Sequence, residues 1–386
     1  MKKVVLLGAS GSIGTNTLDV LSNNTNDFLL IAFSVHNHIE KIEEVIIKFP
    51  TVKYIAVSSN KKIDSIKKNY PFIIFYEGRN AIENMLKNIS YDILVNALTG
   101  FAGLKPSLIA IEQNKIIALS NKETLVVGGE LVKDKLSQST AKIYPIDSEH
   151  AALFHLLSKC KKEEVRRVFI TCSGGALRDI PLKDLYDVDY RKALNHPQWK
   201  MGPKITIDSA TLLNKAYEVI EAHYLFDIDV DEVNVLMHKE SVIHAMVELV
   251  DGSFIAHLGP SDMRPFIQYA LYEGQTKLIS NIDNFNIPDL HFFKKDDVRY
   301  PLFHITIDAY KSNPYSLCVI NAASEMLVSL YLHGLIKFGD ISHLVFEEVS
   351  DLKIPHQLTY EDLAKLDKII KSRILWKVVF KRCLNG

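Results

Sequence analysis

Cysteine is scarce. The 386 residues hold four (Cys160, Cys172, Cys318 and Cys383), none at a spacing that chelates zinc or suggests a bridge framework. That usage fits a reducing compartment and argues against a disulfide-stapled secreted domain. An excess of charge is missing too. Lysine plus arginine total 45 against 46 acidic residues, a net charge of −1, and no basic block or arginine-rich arm occurs. A nucleic-acid partner is therefore not expected. No apolar run approaches membrane-spanning length, so no membrane partner is expected either. The first strand should begin at Lys3, leaving no room for a leader, and a cytoplasmic location follows as an expectation. Internal repeats and low-complexity tracts are absent. What is present, 47% hydrophobic and 24% charged residues, is the composition of a soluble globular protein. Single cores rarely grow past roughly 250–300 residues, so two or three domains are expected.

Val4-Val5-Leu6-Leu7 is a continuous apolar run, as a strand buried on both faces requires. Gly8-Ala9-Ser10-Gly11-Ser12-Ile13-Gly14 follows, then a helical pattern through Leu18 and Leu21. Strand, glycine turn and helix form the context in which backbone N–H groups approach a pyrophosphate. A loose turn in an α/β protein is the plainer alternative. The next strand, 29–33, ends in Ser34-Val35-His36-Asn37-His38. No acidic residue stands there to hold a ribose diol, and the polar donors lean towards NADP. Tyr54 to Val57 leads into a lysine-rich segment, and 93–97 leads to a glycine-containing turn and a helix around 106–111. A strand at 115–119 brings Asn121-Lys122-Glu123 to its carboxyl end, either as an exposed helix start or facing the nicotinamide.

Lys142 to Pro145 reads as a strand and 151–158 as a helix, with Ile146-Asp147-Ser148-Glu149-His150 between them. Asp147 and Glu149 offer two hard oxygens at a strand-to-helix bend, suited to a divalent cation or simply to a helix N-terminus. A strand at 168–171 runs into Cys172-Ser173-Gly174-Gly175-Ala176, a small-residue turn able to cradle a phosphate. Residues 177–203 are polar and proline-punctuated and contain His196-Pro197-Gln198-Trp199-Lys200-Met201-Gly202. A Trp and a Met there suggest a lid, an ordinary surface excursion being the alternative. Asp208-Ser209-Ala210-Thr211 should open a long helix, with Asp208 or Ser209 as N-cap. On that helix Asn214, Lys215 and Glu218 share a face, either as a solvated pair or as phosphate and metal ligands. Residues 233–259 are expected as two antiparallel strands around Asp251-Gly252, with Ser241 to His244 on the first. Asp262-Met263-Arg264 follows the second. An irregular linker at 274–300 and a helical bundle at 301–386 complete the reading.

Six of these motifs, in this order, resemble the 1-deoxy-D-xylulose 5-phosphate reductoisomerase family: 8–14, Asn121-Lys122-Glu123, Asp147-Ser148-Glu149, Ser173-Gly174-Gly175, His196-Pro197-Gln198-Trp199, and Asp208-Ser209-Ala210-Thr211 with Asn214, Lys215 and Glu218. The resemblance implies an α/β fold: an N-terminal NADP-binding Rossmann-like domain (1–147), a central α+β catalytic domain (148–273) with a flexible lid at 173–203, a linker (274–300) and a C-terminal helical domain (301–386). It implies NADPH- and metal-dependent rearrangement and reduction of 1-deoxy-D-xylulose 5-phosphate to 2-C-methyl-D-erythritol 4-phosphate, by a homodimer. Asp147, Glu149 and Glu218 would hold Mg²⁺ or Mn²⁺. Lys122, Ser148, Glu149, Ser173, His196, Trp199, Met201, Ser209, Asn214, Lys215 and Glu218 would bind substrate, with Lys122 and the three carboxylates catalytic. Ser10, Gly11, Ser12, Ile13, His36, Asn37, Asn121, Glu123 and Gly202 would contact the cofactor.

Three places depart from the family pattern: His36-Asn37 where Gly or Lys is usual, Met237-His238-Lys239-Glu240 in place of the usual His-Pro-Gln, and Ser261 for Pro. Two competing functions are a metal-independent dehydrogenase of the aspartate-semialdehyde or homoserine type, and a cofactor-sensing module without turnover.

Overall fold

The computed structural model describes residues 1–199, 201–279 and 286–385, with side chains as far as Phe380. Lys200 of the expected lid, 280–285 of the expected linker and Gly386 lie outside the described residues. Strands and helices alternate through the first part of the chain: β1 (Lys2–Leu7), α1 (Ser12–Asn23), β2 (Phe28–Val35), α2 (Lys41–Lys48), β3 (Tyr54–Val57), α3 (Asp64–Asn69), β4 (Ile74–Glu77), α4 (Ala81–Asn88), β5 (Ile93–Asn96), α5 (Leu104–Glu112), β6 (Ile116–Leu119), α6 (Glu123–Ser137), β7 (Lys142–Pro145) and α7 (Ser148–Leu157). There follow β8 (Val165–Cys172), the short helices α8 (Leu182–Leu185) and α9 (Tyr190–Ala193), α10 (Pro203–Ala210), α11 (Leu213–Phe226), β9 (Val233–Met237), β10 (Ile243–Leu249), β11 (Phe254–Leu258) and α12 (Arg264–Leu271). Four helices close the chain: α13 (Pro301–Ser312), α14 (Ser316–Leu332), α15 (Phe338–Ser350) and α16 (Tyr360–Asn385).

The chain divides into two compact units. The first comprises Met1–Asn121, Val132–Ala151 and Asp262–Asn284. Its sheet has seven strands in the order β4-β3-β2-β1-β5-β6-β7, every ladder parallel. Val4 to Leu7 on the central β1 are fully buried, as a strand covered on both faces requires. The order reverses between β1 and β5, the topological switch point where doubly wound sheets collect ligands. The late segment around α12 returns to this unit. Phe28 meets Tyr272 edge-on at 4.9 Å, and the Tyr272 hydroxyl donates to Asn24 Oδ1 at 2.9 Å.

The second unit comprises Lys122–Leu131, Ala152–Ser261 and Phe285–Gly386. Its four-stranded sheet runs β11-β10-β8-β9, with β10 antiparallel to both neighbours and β8 parallel to β9. α14 packs against α13, α15 and α16, burying its Leu317, Val319, Ile320 and Leu327.

Four local readings change. The edge strand β4 and helix α4 extend the βα alternation beyond the sequence expectation; Ile74 to Glu77 is a short, half-covered edge with little apolar signal. The stretch 177–203 carries two single-turn helices within it. The expected first hairpin strand is two elements: β9 ends at Met237, Ser241 turns the chain at φ +54°, and only β10 and β11 form the hairpin around Asp251-Gly252. Asp208 to Thr211 finish α10 instead of opening α11. Gly202 caps α10 with Pro203 in its first turn, and Leu212, at φ +55°, re-aims the chain before Leu213. Pro at the first helical position was the overlooked start signal.

Candidate active site

In the first unit the glycine turn is dictated by lack of room. A Cβ on Gly14 would lie 2.2 Å from the Gly8 carbonyl oxygen, and Gly8 itself sits at φ +81°. The turn is tied to β2, since Gly8 N–H donates to Ser34 Oγ at 3.0 Å and Ala9 N–H to the Ser34 carbonyl at 3.0 Å. Ser10, Gly11, Ser12 and Ile13 thereby stand at the start of α1. Gly11 is the N-cap and supplies no side-chain cap, so the helix presents backbone N–H groups to an anion. Beyond β2, His36 Nδ1 shares a hydrogen bond with Ser58 Oγ (2.9 Å), and Lys61 Nζ donates to the Asn37 carbonyl (2.7 Å). Lys61 was not singled out from sequence, although the lysine-rich segment after β3 contained the signal. Asn121 is buried, its amide donating to the carbonyls of Leu98 (3.1 Å) and Gly100 (3.0 Å); it braces the turn after β5. Asp147 and Ser148-Glu149 form the bend into α7: Glu149 N–H donates to Asp147 Oδ1 at 3.3 Å, the Ser148 hydroxyl contacts the Glu149 carboxylate, and buried His150 lies 3.6 Å from Asp147.

The second unit brings together Lys122, Asn214, Lys215 and Glu218. Glu218, 1% exposed, accepts from Lys122 Nζ at 3.2 Å and Asn214 Nδ2 at 2.5 Å, and it pairs with the Lys215 ammonium. Two buried ammonium groups thus hold the Glu218 carboxylate in its charged form. Helical spacing puts Asn214, Lys215 and Glu218 on one face, while Lys122, next to the start of α6, comes from a distant part of the chain.

A second cluster surrounds Ser173. Gly174 and Gly175 have φ of +84° and +72°, and a Cβ on Gly175 would meet Ala210 Cα at 2.6 Å, so only glycine lets this turn lie against the end of α10, where Ser209 sits. Ser173 Oγ accepts from Gly175 N–H (3.1 Å) and lies 2.9 Å from His196 Nε2. His196 Nδ1 accepts two backbone N–H groups, from Gln198 at 3.2 Å and Trp199 at 2.9 Å. That nitrogen therefore carries the lone pair, and Nε2 carries the proton that it donates to Ser173. Ser173 Oγ, accepting twice, has its own hydroxyl proton left to donate to a ligand. Burial, reinforced by the Arg178 cation, pushes His196 down to about 4, so this neutral tautomer persists at physiological pH. Trp199 stacks obliquely near His244 (6.3 Å) and is half-buried. Met201 is half-buried and Gly202 exposed; Glu123 stands in the first turn of α6. Arg178, which bonds the Ser173 carbonyl at 2.8 Å, was missed in sequence because a lone arginine after a small-residue turn reads as surface.

Three family models match successive parts of the chain: 1-deoxy-D-xylulose 5-phosphate reductoisomerase over residues 4–129, its C-terminal domain over 143–226, and a further DXP reductoisomerase C-terminal domain over 258–373. A 1-deoxy-D-xylulose 5-phosphate reductoisomerase from Thermoanaerobacter pseudethanolicus is 39% identical, covering 98% of this chain and 99% of its own. One from Clostridium acetobutylicum is 38% identical, covering 98% and 100%. Among solved structures, a DOX-P reductoisomerase in complex with NADPH, fosmidomycin and magnesium superposes with a TM-score of 0.91 at 28% identity, covering 99% of both chains. The Zymomonas mobilis reductoisomerase in complex with NADPH gives 0.89 at 30%, covering 98% and 99%. The glycine turn, the buried lysine–glutamate cluster and the Ser173–His196 pair are thus features of a chain that belongs, along nearly its whole length, to the 1-deoxy-D-xylulose 5-phosphate reductoisomerase family.

Proposed function

We propose that this chain converts 1-deoxy-D-xylulose 5-phosphate to 2-C-methyl-D-erythritol 4-phosphate, rearranging the carbon skeleton and reducing the resulting aldehyde with NADPH, in the non-mevalonate route to isoprenoids. The observation that carries this reading is the Ser173–His196 donor pair, beside a glycine turn that backs onto α10, in a chain of this family. Ser173 donates its free hydroxyl proton to the substrate phosphate, with His196, Ser209, Asn214 and Lys215 as further donors; a dianion needs several convergent ones. Lys122 and Ser148 orient the sugar hydroxyls. Trp199 and Met201, within the lid at 173–203, cover the substrate and exclude water. Ser10, Gly11, Ser12 and Ile13 receive the pyrophosphate of NADPH, Asn121, Glu123 and Gly202 its nicotinamide half, and His36, Asn37 and Lys61 its 2′-phosphate. Asp147, Glu149 and Glu218 hold a divalent cation, magnesium or manganese. The donor set fits, since carboxylate oxygens without sulfur or imidazole select a hard ion. Bound there, the cation supplies Lewis-acid polarisation of substrate oxygens, and NADPH supplies the hydride.

A metal-independent dehydrogenase using a cysteine nucleophile is not favoured: Cys172 Sγ lies against Met237 Sδ at 3.3 Å, and burial pushes the Cys318 thiol far up. The test is NADPH oxidation with 1-deoxy-D-xylulose 5-phosphate, first with Mg²⁺ and then with excess chelator. Turnover that stops on chelation supports the reading, and turnover indifferent to chelator overturns it. The same reading makes the protein a homodimer. β11 is the edge of the four-stranded sheet, and Phe254, Ile255 and Leu258 are exposed along it, as a pairing strand would have them. Sedimentation showing only monomer at micromolar concentration would remove that part. Among the described residues no helix is long and apolar enough to cross a membrane, and no disulfide joins the described cysteines; a cytoplasmic location belongs to this proposal.

A further inference from the structure

We propose that Arg178 is a positioning residue for the sugar-phosphate site, clamping the phosphate-binding turn and the loop on which the lid rests into one register. This inference rests on the function proposed above. The Arg178 side chain is only 13% exposed, and its Nη1 donates to the Ser173 carbonyl at 2.8 Å and to the Lys239 carbonyl at 3.3 Å. The Lys239 carbonyl also accepts from Gln198 Nε2, on the lid, at 3.2 Å. One guanidinium thus joins the turn after β8 to the β9–β10 loop, and through the loop's carbonyl to the lid.

The turn has no regular structure to hold it. Its carbonyls are captured from outside: Ser173 by Arg178, Gly174 by the Tyr300 hydroxyl at 2.9 Å, and Leu177 by Arg299 Nη1 at 3.0 Å. No described peptide bond is cis, and in a planar trans peptide the N–H points opposite its carbonyl. Fixing these carbonyls therefore sets the direction of the N–H groups of Gly174, Gly175 and Arg178, and that of Gly175 is received by Ser173 Oγ at 3.1 Å, so the clamp holds the phosphate-facing hydroxyl in place. Arg178 also bears on His196, the residue whose neutral tautomer frees the Ser173 hydroxyl proton. Of the charges flanking it, Asp179 pairs with Lys239 at 2.6 Å and with Arg178 Nε at 3.4 Å, and the charge that bears on the imidazole is the Arg178 cation.

The experiment compares the wild-type chain with Arg178→Gln and Arg178→Lys, reading inorganic phosphate affinity by calorimetry and the His196 titration by NMR of ¹³C-labelled histidine, assigned with His196→Asn. KM and kcat are measured alongside. In Arg178→Gln, phosphate affinity should fall roughly tenfold or more, the loss of one charge-assisted hydrogen-bond system. KM for the sugar phosphate should rise in parallel while KM for NADPH holds, and the His196 midpoint should move up from about 4. Arg178→Lys should keep that midpoint low without restoring phosphate affinity, because a flexible ammonium lacks the planar guanidinium that fixes Nη1 between the two carbonyls while Nε faces Asp179. An unchanged phosphate affinity in either folded variant overturns the proposal, as does a lysine variant restored in both readouts. Neither binding nor titration uses the reaction. Wild-type protein that binds phosphate but never oxidises NADPH with the substrate would overturn the proposed function alone, and the clamp would still be judged on the variants.

Discussion

Replacing Glu218 with Gln keeps the shape of a side chain that is 2% exposed and removes a negative charge paired with two ammonium groups. Lys122 and Lys215 have side chains 9% and 4% exposed, so water cannot take over the lost carboxylate's role. Breaking a buried ion pair by deleting one partner costs about 3–5 kcal/mol, because the remaining charge stays buried and uncompensated. Two ammonium groups lose this partner, and the expected loss falls within that range. With urea slopes of about 1–3 kcal/mol per molar, the midpoint for the unit containing α11 should fall by more than about 1 M. The double variant Glu218→Gln with Lys215→Met removes one of the two buried cations and should recover at least half of the loss. NADPH oxidation should be absent in both variants, which separates stability from chemistry. Urea titration followed by amide exchange along α11 measures the effect. A Glu218→Gln chain within about 1 kcal/mol of wild type would refute the electrostatic reasoning, since it would mean the two lysines do not depend on Glu218.

His196 and His257 are both pushed down to about 4, chiefly by burial, while an unfolded histidine titrates near 6.5. The unfolded chain therefore takes up protons first, and stability should fall as pH drops from 6.5 towards 4, then level off. His257→Gln should flatten that slope in pH-dependent urea melts; a slope unchanged from wild type would show that His257 is not held neutral. Gly175→Ala places a methyl 2.6 Å from Ala210 Cα on a backbone at φ +72°, and should cost about 1–2 kcal/mol for the left-handed conformation before the clash is counted, with weaker phosphate binding by calorimetry. Lys61→Ala should raise KM for NADPH severalfold and leave the affinity for NADH unchanged, because only NADPH brings a 2′-phosphate near the Asn37 loop; equal effects on both would place Lys61 outside that site.

Much of the first unit was readable in advance because its signals are local. An uninterrupted Val-Val-Leu-Leu run, a glycine turn and a helical repeat are properties of consecutive residues, and a parallel sheet follows from their alternation. The edge strand β4 escaped because an edge is only half covered and need not be strongly apolar. The Asp208-Ser209-Ala210-Thr211 run looked like a helix start by its capping residues, yet the left-handed Leu212 after it makes it an end. The expected hairpin failed for a non-local reason: β9 pairs with β8, more than 60 residues earlier, so its partner could not be found among its neighbours.

By itself, the sequence determined the family, the parallel sheet and the residue types that carry the chemistry, since these reside in ordered motifs and short-range periodicity. Tertiary structure alone decided how those side chains are wired. Lys122 meets Glu218 across nearly a hundred residues, and the His196 tautomer is set by two backbone N–H groups of its own turn. Arg178 became visible only when the carbonyls it holds were in place. Hydrogen bonds and buried charges depend on direction and on exclusion of water, and a linear order of residues specifies neither until the chain has closed around them.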